Sequence, residues 1–310
     1  MVIVMTEERS ASLVSEELAL EAARLALTSV GGSTPFPVVV GFVAGTQNRF
    51  TIKSGSASGL SGAKIGSFWP NNAAAGLPRH SSTVILLDES TGRVAAVVEA
   101  GAGNAYRTAA ADAVAVEILA RRDARILAVL GTGNQARYEA RAVARVRPID
   151  EILIAGRNRA AAEALAARVH VETGVRARAA GVEEACGEAD IIATVTTARE
   201  PLFDAEWIRP GTHVSAMGAD GPGKQELPSG LYASARLFCD VIDQSRSIGE
   251  FQHAPHGVAI TTLGDVLNGV GVGRTGDEEI TVFDSSGFAL QDLTLADALI
   301  SRADNERTRT

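Results

Sequence analysis

A short apolar run that leads directly into a glycine-rich turn constrains this chain more than any other feature. The apolar run is Ile126–Leu130, the turn is Gly131-Thr132-Gly133-Asn134-Gln135-Ala136, and a helix-forming run comes next. In such a strand–turn–helix, the first glycine permits the tight turn, the second lets the backbone approach a pyrophosphate, and the small third residue lets the helix pack closely. The unpaired N–H groups and partial positive charge at the helix N-terminus attract phosphates. The pattern predicts a dinucleotide-binding site; the alternative is a plain glycine-rich turn between a strand and a helix.

Strand-like and helix-like runs alternate after this turn. Strands are predicted at 151–156, 175–179, 191–196, 212–218, 237–243 and 279–287, and helices at 159–171 and 182–189. This alternation, with short loops, is typical of a parallel sheet covered by helices on both faces. The predicted fold class for residues 116–289 is therefore α/β, a Rossmann-type doubly wound parallel sheet.

The residues before the turn follow a different pattern. Helices are predicted at 16–28 and 112–122, and short β-like runs at 37–43, 50–54, 63–68, 83–87 and 93–99. Gly, Pro, Ser and Asn separate these runs, which is typical of an antiparallel or mixed sheet. Together with a C-terminal helix at 289–302, they predict an α+β domain formed by residues 1–115 and 290–310.

Composition narrows the possible functions. A net charge of −8 disfavours nucleic acid as a partner. We expect a cytoplasmic protein, because the chain has no apolar run long enough to span a membrane and no signal-peptide pattern at its start. The two cysteines, Cys186 and Cys239, are expected to be reduced thiols. The spacing of the five histidines predicts no metal site.

The residues after the second predicted strand indicate which dinucleotide binds. An NAD-binding chain would have an Asp or Glu there for the ribose 2′-hydroxyl, whereas this chain has Gly156-Arg157-Asn158-Arg159. Two guanidinium groups can receive a 2′-phosphate with bidentate geometry. We therefore expect NADP(H) to be favoured over NAD(H). The alternative is that Arg157 and Arg159 are solvated residues at the start of a helix.

Four separated segments carry a resemblance to a known family. They are Arg107-Thr-Ala-Ala, the glycine-rich turn, Gly218-Ala-Asp-Gly-Pro-Gly-Lys-Gln-Glu-Leu, and the segment from Arg274 to Asp292. In this order they resemble the ornithine cyclodeaminase/μ-crystallin family over about residues 16–300. The resemblance implies a homodimer built through the α+β domain, an active site in the cleft between the domains, and hydride exchange between a nicotinamide and the Cα of an amino or imino acid. The family includes ornithine cyclodeaminases, alanine dehydrogenases, cyclic ketimine reductases and opine-type dehydrogenases.

Three charged residues are the main candidates for the chemistry. Arg107 can grip an α-carboxylate with two parallel hydrogen bonds, and the family's matching arginine does so. Lys64 lies among small and apolar residues, where a buried ammonium needs a partner such as a carboxylate, and it matches the family's active-site lysine. Asp220, which matches the family's catalytic aspartate, follows a predicted strand and could exchange a proton with the substrate nitrogen. The alternative for Arg107 is a surface arginine at the start of a helix, and the alternative for Asp220 is an aspartate that only caps a turn.

Other residues are weaker candidates. Lys53 and Asn71 could contact substrate, although Lys53 could equally be a solvated strand residue, and Lys224 could act on Asp220 or be exposed. The residues expected on the nicotinamide side are Thr194, Val195, Thr196, Met217, Gly218, Ser286 and Gly287.

The charges of the first domain bear on the substrate. No Asp or Glu occurs between residues 22 and 87, although ornithine cyclodeaminases need an acid there to hold the distal ammonium. We therefore expect a cyclic ketimine reductase or amino-acid dehydrogenase. Its substrate would be a monoamine, a cyclic imine or a compound with a second carboxylate. Ornithine cyclodeamination and an NADPH-dependent ligand-binding protein of μ-crystallin type are the alternatives.

Overall fold

The computed structural model describes residues 2–30, 38–57 and 59–308, which divide into two compact units. The first unit comprises Met1–Arg107 and Phe288–Thr310, and the second comprises Thr108–Gly287. The sequence put the corresponding boundaries after residues 115 and 289, so the structure has both of them earlier in the chain.

The first unit is built on a six-stranded sheet. Its strands are β1 (Ile3–Met5), β2 (Val39–Phe42), β3 (Arg49–Ala57), β4 (Leu60–Phe68), β5 (His80–Leu87) and β6 (Val94–Glu99). They lie in the order β1-β6-β5-β4-β3-β2, and all pairs are antiparallel except β1 with β6. The predicted mixed sheet is thus confirmed; of the predicted run 37–43, Pro37 lies outside the described residues.

Helices cover one face of this sheet. They are α1 (Glu7–Leu13), α2 (Glu16–Thr28) and α10 (Ala289–Arg307), and α10 packs on β3, β4, β5 and α2. The covered face includes the cross-strand line of Lys53, Lys64, Val84, Val98 and Met5, of which Val84 and Val98 are fully buried. Because side chains alternate along a strand, the intervening residues point to the opposite face.

That opposite face is rich in apolar side chains. We call it the open face; its apolar residues are Val4, Val39, Ile52, Ala63, Ile65, Ile85 and Val97. Val4 is 71% exposed, Val39 55% and Ile65 39%. A contiguous apolar face of this kind is typical of a surface that another protein covers.

The second unit is an eight-stranded, wholly parallel sheet. Its strands are β7 (Ile126–Leu130), β8 (Glu151–Ala155), β9 (Arg176–Ala179), β10 (Ile191–Thr194), β11 (His213–Ala216), β12 (Arg236–Cys239), β13 (Ile260–Thr262) and β14 (Thr281–Asp284). The order is β13-β12-β14-β11-β10-β7-β8-β9. The connecting helices are α4 (Asn134–Val146), α5 (Arg159–Thr173), α6 (Val182–Glu188), α7 (Leu231–Ser234), α8 (Ile242–Ile248) and α9 (Leu263–Leu267). The predicted doubly wound α/β class is confirmed.

The order of the strands reverses at one point of the sheet. From β7 the chain proceeds to β8 and β9 on one side, and then returns to β10 on the other side of β7. Ligands of open parallel sheets bind outside the carboxyl ends of the strands at this reversal. Gly131 follows β7 and Val195 follows β10, so the glycine-rich turn lies at the reversal point.

The helix α3 (Gly101–Leu119) differs from the prediction of 112–122. It begins much earlier because Glu7 caps it: Gly101 N donates to Glu7 Oε2 at 2.6 Å and Ala102 N to Glu7 Oε1 at 2.7 Å. Glycines disfavour helix interiors, so the local sequence concealed this start. As a result Arg107 lies within the helix and not at its start.

In the part of the chain that the structure describes, no helix combines the length and apolar character needed to cross a membrane. Within the same residues, no group of three or more His, Cys, Asp or Glu side chains is arranged to hold a metal ion.

Candidate functional site

The turn after β7 has the geometry that a pyrophosphate needs. Gly131 has a φ of +139°, and a Cβ there would lie 2.8 Å from the carbonyl oxygen of Val195. Gly133 is the N-cap of α4, and a Cβ there would meet no atom within 4 Å, so the space beside the helix N-terminus is open. Ala136 is fully buried against the sheet. Glycine as the cap leaves the N–H groups of the first turn of α4 for an anion. These residues fit a dinucleotide.

The residues expected to determine the preference for NADP(H) over NAD(H) lie beside this turn. Ala155 at the end of β8 pairs with Leu130 at the end of β7, and a Cβ on Gly156 would lie 2.8 Å from Thr132 Cγ2. Arg157 is exposed, and the Asn158 side chain accepts a hydrogen bond from Ala161 N at 3.1 Å, capping α5. Arg159 Nε donates to Glu163 Oε1 at 3.0 Å in an exposed pair.

One buried carboxyl group accepts hydrogen bonds from residues at the ends of both β10 and β11. Glu226, which is fully buried, accepts hydrogen bonds from Thr196 N at 2.6 Å, Thr194 Oγ1 at 2.7 Å and Gly218 N at 2.9 Å. Burial is the main cause of its raised pKa, about 7, and outweighs the hydrogen bonds that lower it. Met217 N donates to Thr194 O at 2.9 Å. The structure therefore brings Thr194, Thr196, Met217 and Gly218 together.

A second buried glutamate holds Glu226 in place. Glu250 Oε1 accepts hydrogen bonds from Leu227 N at 2.8 Å and Tyr232 OH at 2.9 Å, and Glu226 N donates to Glu250 Oε2 at 3.0 Å. Burial also raises the pKa of Glu250. The loop that carries Asp220 is thus anchored at its end by side chains in the protein interior.

Ser286 and Gly287, the remaining nicotinamide-side candidates, follow β14. Ser286 Oγ accepts a hydrogen bond from Gln244 Nε2 at 2.8 Å, and Gly287 N donates to Asp240 Oδ2 at 2.9 Å. Both residues are thereby fixed at the carboxyl end of the parallel sheet, the edge where such folds bind ligands.

Asp220 lies in the loop after β11 and is accessible. Its side chain is 52% exposed, and its Oδ1 contacts the ammonium of Lys224. Lys224 is buried, and its Nζ also donates to the carbonyl oxygen of Gly218 at 3.0 Å. The alternative that Lys224 is an exposed lysine is therefore wrong. A carboxyl group held beside a lysine and reachable from solvent can exchange a proton with a bound molecule.

In the first unit, Lys64 and Arg107 lie in one cluster. Lys64 Nζ is 2.6 Å from Asp292 Oδ1 and 2.6 Å from Asn104 Oδ1. Arg107 Nε is 3.2 Å from Asp292 Oδ1, and its two terminal nitrogens donate to Asn104 Oδ1 at 2.8 Å and Gln291 Oε1 at 3.1 Å. The surface alternative for Arg107 is wrong, since only 11% of its side chain is exposed. We call these five residues the cation cluster.

Burial controls the electrostatics of the cation cluster. Desolvation is the main cause that lowers the pKa of Lys64 to about 7; the charge of Arg107 lowers it further, and Asp292 opposes the shift. Burial raises the pKa of Asp292, but Arg107 and Lys64 more than compensate, so the net shift is downward. Gln291 Nε2 and Asp292 Oδ2 are buried and have no hydrogen-bond partner among the described residues. A buried donor and a concentration of positive charge favour a carboxylate ligand.

Sequence reasoning missed several residues of these two groups. Asp292 and Glu226 lie within the motifs that carry the family resemblance, but no local pattern points to a role for either. Asn104 is three residues before Arg107, a spacing that puts both on one helix face. Lys53 is half-buried and lies opposite Lys64 in the sheet. Asn71 is exposed in the 3-10 helix Pro70–Ala75, and its substrate role stays a prediction.

Comparison with known proteins identifies the family. The sequence profile of the ornithine cyclodeaminase/mu-crystallin family matches residues 2–307. The chain belongs to this family. The resemblance noted from the motifs is therefore confirmed. The iminosuccinate reductase of Paracoccus denitrificans strain Pd 1222 is 38% identical over 310 residues, which cover 97% of this chain and 96% of the relative.

Solved structures agree with the fold over nearly the whole chain. The Paracoccus denitrificans iminosuccinate reductase in complex with NAD⁺ has a TM-score of 0.92 and 36% identity, with 98% of this chain and 97% of that one covered. An archaeal alanine dehydrogenase dimer with bound NAD has a TM-score of 0.90, 30% identity, and coverage of 99% and 97%. The Thermococcus litoralis Delta(1)-pyrroline-2-carboxylate reductase with NADH and L-proline has a TM-score of 0.90, 27% identity, and coverage of 98% of each chain.

Proposed function

We propose that this protein is an NAD(P)H-dependent oxidoreductase that reduces the imine of an α-imino acid, or oxidises the corresponding amino acid. The cation cluster carries this proposal, because the buried ammonium of Lys64, the largely buried guanidinium of Arg107 and the amide of Gln291 are arranged for a carboxylate. The turn at Gly131 and the related reductases and dehydrogenases support it. When bound, the nicotinamide supplies or accepts the hydride at Cα.

The residues of this chain bind the substrate and handle its proton. Lys64 and Arg107 hold the α-carboxylate, which fixes the orientation of Cα. Reduction of the C=N bond adds a hydride to carbon and sends the π-electron pair to nitrogen, which takes one proton. Asp220 exchanges that proton with the nitrogen, and Lys224 stabilises the carboxylate that remains.

The test is oxidation of NADPH and NADH, followed by absorbance, with a panel of imines. The panel contains pyrroline-2-carboxylate, piperideine-2-carboxylate, and pyruvate or oxaloacetate with ammonium. We expect turnover of at least one member, and we expect Asp220→Asn to lower kcat by about 10²- to 10⁴-fold while NADPH still binds. Absence of turnover across the panel would overturn the proposal, and release of ammonia and proline from ornithine with catalytic NAD would replace it with cyclodeamination.

We also propose that NADP(H) is favoured over NAD(H). The segment directly after β8, Gly156 to Arg159, provides two guanidinium groups and no carboxylate. Arg159 pairs with Glu163 on the next turn of α5, but this exposed pair is weak enough to be exchanged for a phosphate. Fluorescence titration should give a lower Kd for NADPH than for NADH. Arg157→Ser and Arg159→Ser should weaken the binding of NADPH more than that of NADH. Arg168→Ser, on the same helix as Arg159, is the control and should change neither affinity. Equal affinities in the unmodified protein would refute the preference.

Finally, we propose a homodimer formed through the open face of the first unit. This face is apolar, and an alanine dehydrogenase of the same fold is described as a dimer. Ile65→Asp should produce monomers in sedimentation analysis, whereas Leu77→Asp, at an exposed position outside the sheet, should not. A wild-type monomer would refute this interface.

We also propose a cytoplasmic location. Both cysteines are free and buried, as expected of a protein in a reducing compartment.

A further inference from the structure

One tight turn separates Asp220 from Lys224. Residues 221–224 form the turn, which Lys224 N closes by donating to Gly221 O at 3.2 Å. Pro222 occupies the second position, and Gly223, with a φ of +72°, occupies the third. Proline at the second position and a positive φ at the third are typical of a type II turn. Because Asp220 directly precedes the 221–224 turn and Lys224 ends it, the turn sets the distance between the two side chains.

Side chains hold the peptide group between Pro222 and Gly223 on both sides. A type II turn offers this central peptide group no partner within the turn itself. Here Gly223 N donates to Gln252 Oε1 at 2.7 Å, and Pro222 O accepts from Arg199 Nη1 at 3.2 Å. Arg199 is exposed, whereas Gln252 is half-buried. Glycine at the third position tolerates either orientation of the central peptide group, so these side chains are what fixes it.

The amide of Gln252 fits this place in one orientation. Its Nε2 donates to Gly249 O at 2.8 Å, Lys224 O at 3.2 Å and Gly221 O at 3.3 Å. Exchanging the amide oxygen and nitrogen would set the oxygen against three carbonyl oxygens and an N–H against Gly223 N. Gln252 therefore binds both ends and the middle of the 221–224 turn.

The helix that carries Gln252 also holds the chain beyond the turn. It is the 3-10 helix Glu250–His253. His253 Nε2 donates to Lys224 O at 2.8 Å, and the Glu250 carboxyl group accepts hydrogen bonds from backbone N–H groups that follow the turn. The position of the Lys224 backbone is thus determined by this helix, and the orientation of the turn by Gln252.

We propose that Gln252 is a positioning residue for proton transfer, which fixes the 221–224 turn and so keeps the Lys224 ammonium against the Asp220 carboxyl group. The inference rests on the proposed function and adds a residue that acts through Asp220. The reaction is unchanged: Asp220 exchanges one proton with the substrate nitrogen, and Lys224 stabilises the carboxylate that remains. Without Gln252 the central peptide group of the turn can rotate, and the two side chains lose their fixed separation.

The experiment compares Gln252→Met with Gln225→Met in the full-length protein. Gln225 directly follows the turn, and its amide donates to Leu227 O at 3.2 Å, so this control removes a hydrogen bond of the same loop but none of the turn. Displacing a reacting group by about 1 Å can cost about a hundredfold in rate. With the imine that the wild type reduces fastest, Gln252→Met should therefore lower kcat by about ten- to hundredfold.

The same kinetics distinguish positioning from a general loss of structure. The KM for the imine and the Kd for NADPH should stay close to their wild-type values in Gln252→Met, because only the proton-transfer step is affected. Gln252→Asn keeps the amide but shortens its reach, so its kcat should lie between those of the wild type and Gln252→Met. A kcat no lower in Gln252→Met than in Gln225→Met would overturn the proposal.

A second substitution tests whether the loss passes through the turn. Gly223→Ala strains the turn, since residues other than glycine rarely adopt a φ of +72°. If Gln252 acts through the turn, the double variant Gln252→Met/Gly223→Ala should have nearly the kcat of the slower single variant. Losses that multiply would show independent effects and overturn the proposal.

Hydrogen exchange separates this inference from the proposed function. Exchange of the Gly223 amide, followed by mass spectrometry of a peptide that contains the turn, should be faster in Gln252→Met than in the wild type or Gln225→Met. Unchanged exchange would overturn the role of Gln252 in the turn, and faster exchange with unchanged kcat would overturn its role in proton transfer. Failure of the wild type with every imine would overturn the proposed function, while the exchange rates would still show whether Gln252 fixes the turn.

Discussion

The charge state of Lys64 should make carboxylate binding depend steeply on pH. Its pKa is lowered to about 7, chiefly by burial, so in the ligand-free protein the ammonium is lost as the pH rises through 7. A carboxylate needs the charged form, because neutral lysine offers no ionic partner. Affinity should therefore be highest below pH 7 and fall above it.

The magnitude follows from that pKa. If only protonated Lys64 binds, the apparent Kd is proportional to 1 + 10^(pH − pKa). With the pKa near 7, the Kd should rise about ninetyfold between about pH 6 and pH 9, equivalent to about 2.7 kcal/mol at 1.36 kcal/mol for each factor of ten.

The assay is a titration of pyrrole-2-carboxylate into cofactor-saturated protein by calorimetry from pH 6 to pH 9. This planar competitor has one carboxylate and no group that titrates in that range. Lys64→Arg should give a flat profile, since a guanidinium stays charged, and Lys64→Met should bind weakly at every pH. Arg93→Met, which removes an exposed cation at the edge of β6, should retain the wild-type profile. A wild-type Kd that changes less than about threefold, or an unchanged slope in Lys64→Arg, would refute the reasoning.

Four other substitutions test the remaining contacts. Asp292→Asn removes the charge that raises the pKa of Lys64, so the midpoint of the same binding profile should move below pH 7; a midpoint that stays at 7 would contradict the pairing. Glu226 accepts three hydrogen bonds, and in Glu226→Gln the new amide N–H would face one of those three donors. The free energy of unfolding, measured with urea, should therefore fall by about 1–3 kcal/mol. Gly131→Ala should lower both the melting temperature and NADPH affinity, whereas Gly133→Ala, with open space around its Cβ, should lower only NADPH affinity; an equal loss of stability in both would be the contrary result.

Local sequence patterns predicted much of the second unit. The strands β7, β8 and β10 are short, buried and apolar, and each is bounded by turn residues, so their signals do not depend on distant contacts. The helix α2 has the predicted bounds, 16–28, because Ser15 caps its N-terminus through a hydrogen bond with the backbone N of Leu18.

The features that the sequence missed depend on residues far apart in the chain. The start of α3 is stabilised by Glu7, and two glycines near that start hide it from any local pattern. The three-residue strand β1 exists because it pairs with β6. No local signal identifies such contacts, because they form only when the chain folds.

The sequence by itself determined the dinucleotide turn, the doubly wound sheet and the identities of Lys64, Arg107 and Asp220 as candidates. The turn and the sheet follow from spacing along the chain, and the three candidates follow from their local sequence together with the resemblance to the family. Only the tertiary structure decided that Asp292, near the C-terminal end of the chain, pairs with Lys64, and that Lys53 faces the same ion pair. The reason is physical: burial and charge act through space, so the pKa of Lys64 depends on neighbours that folding brings together.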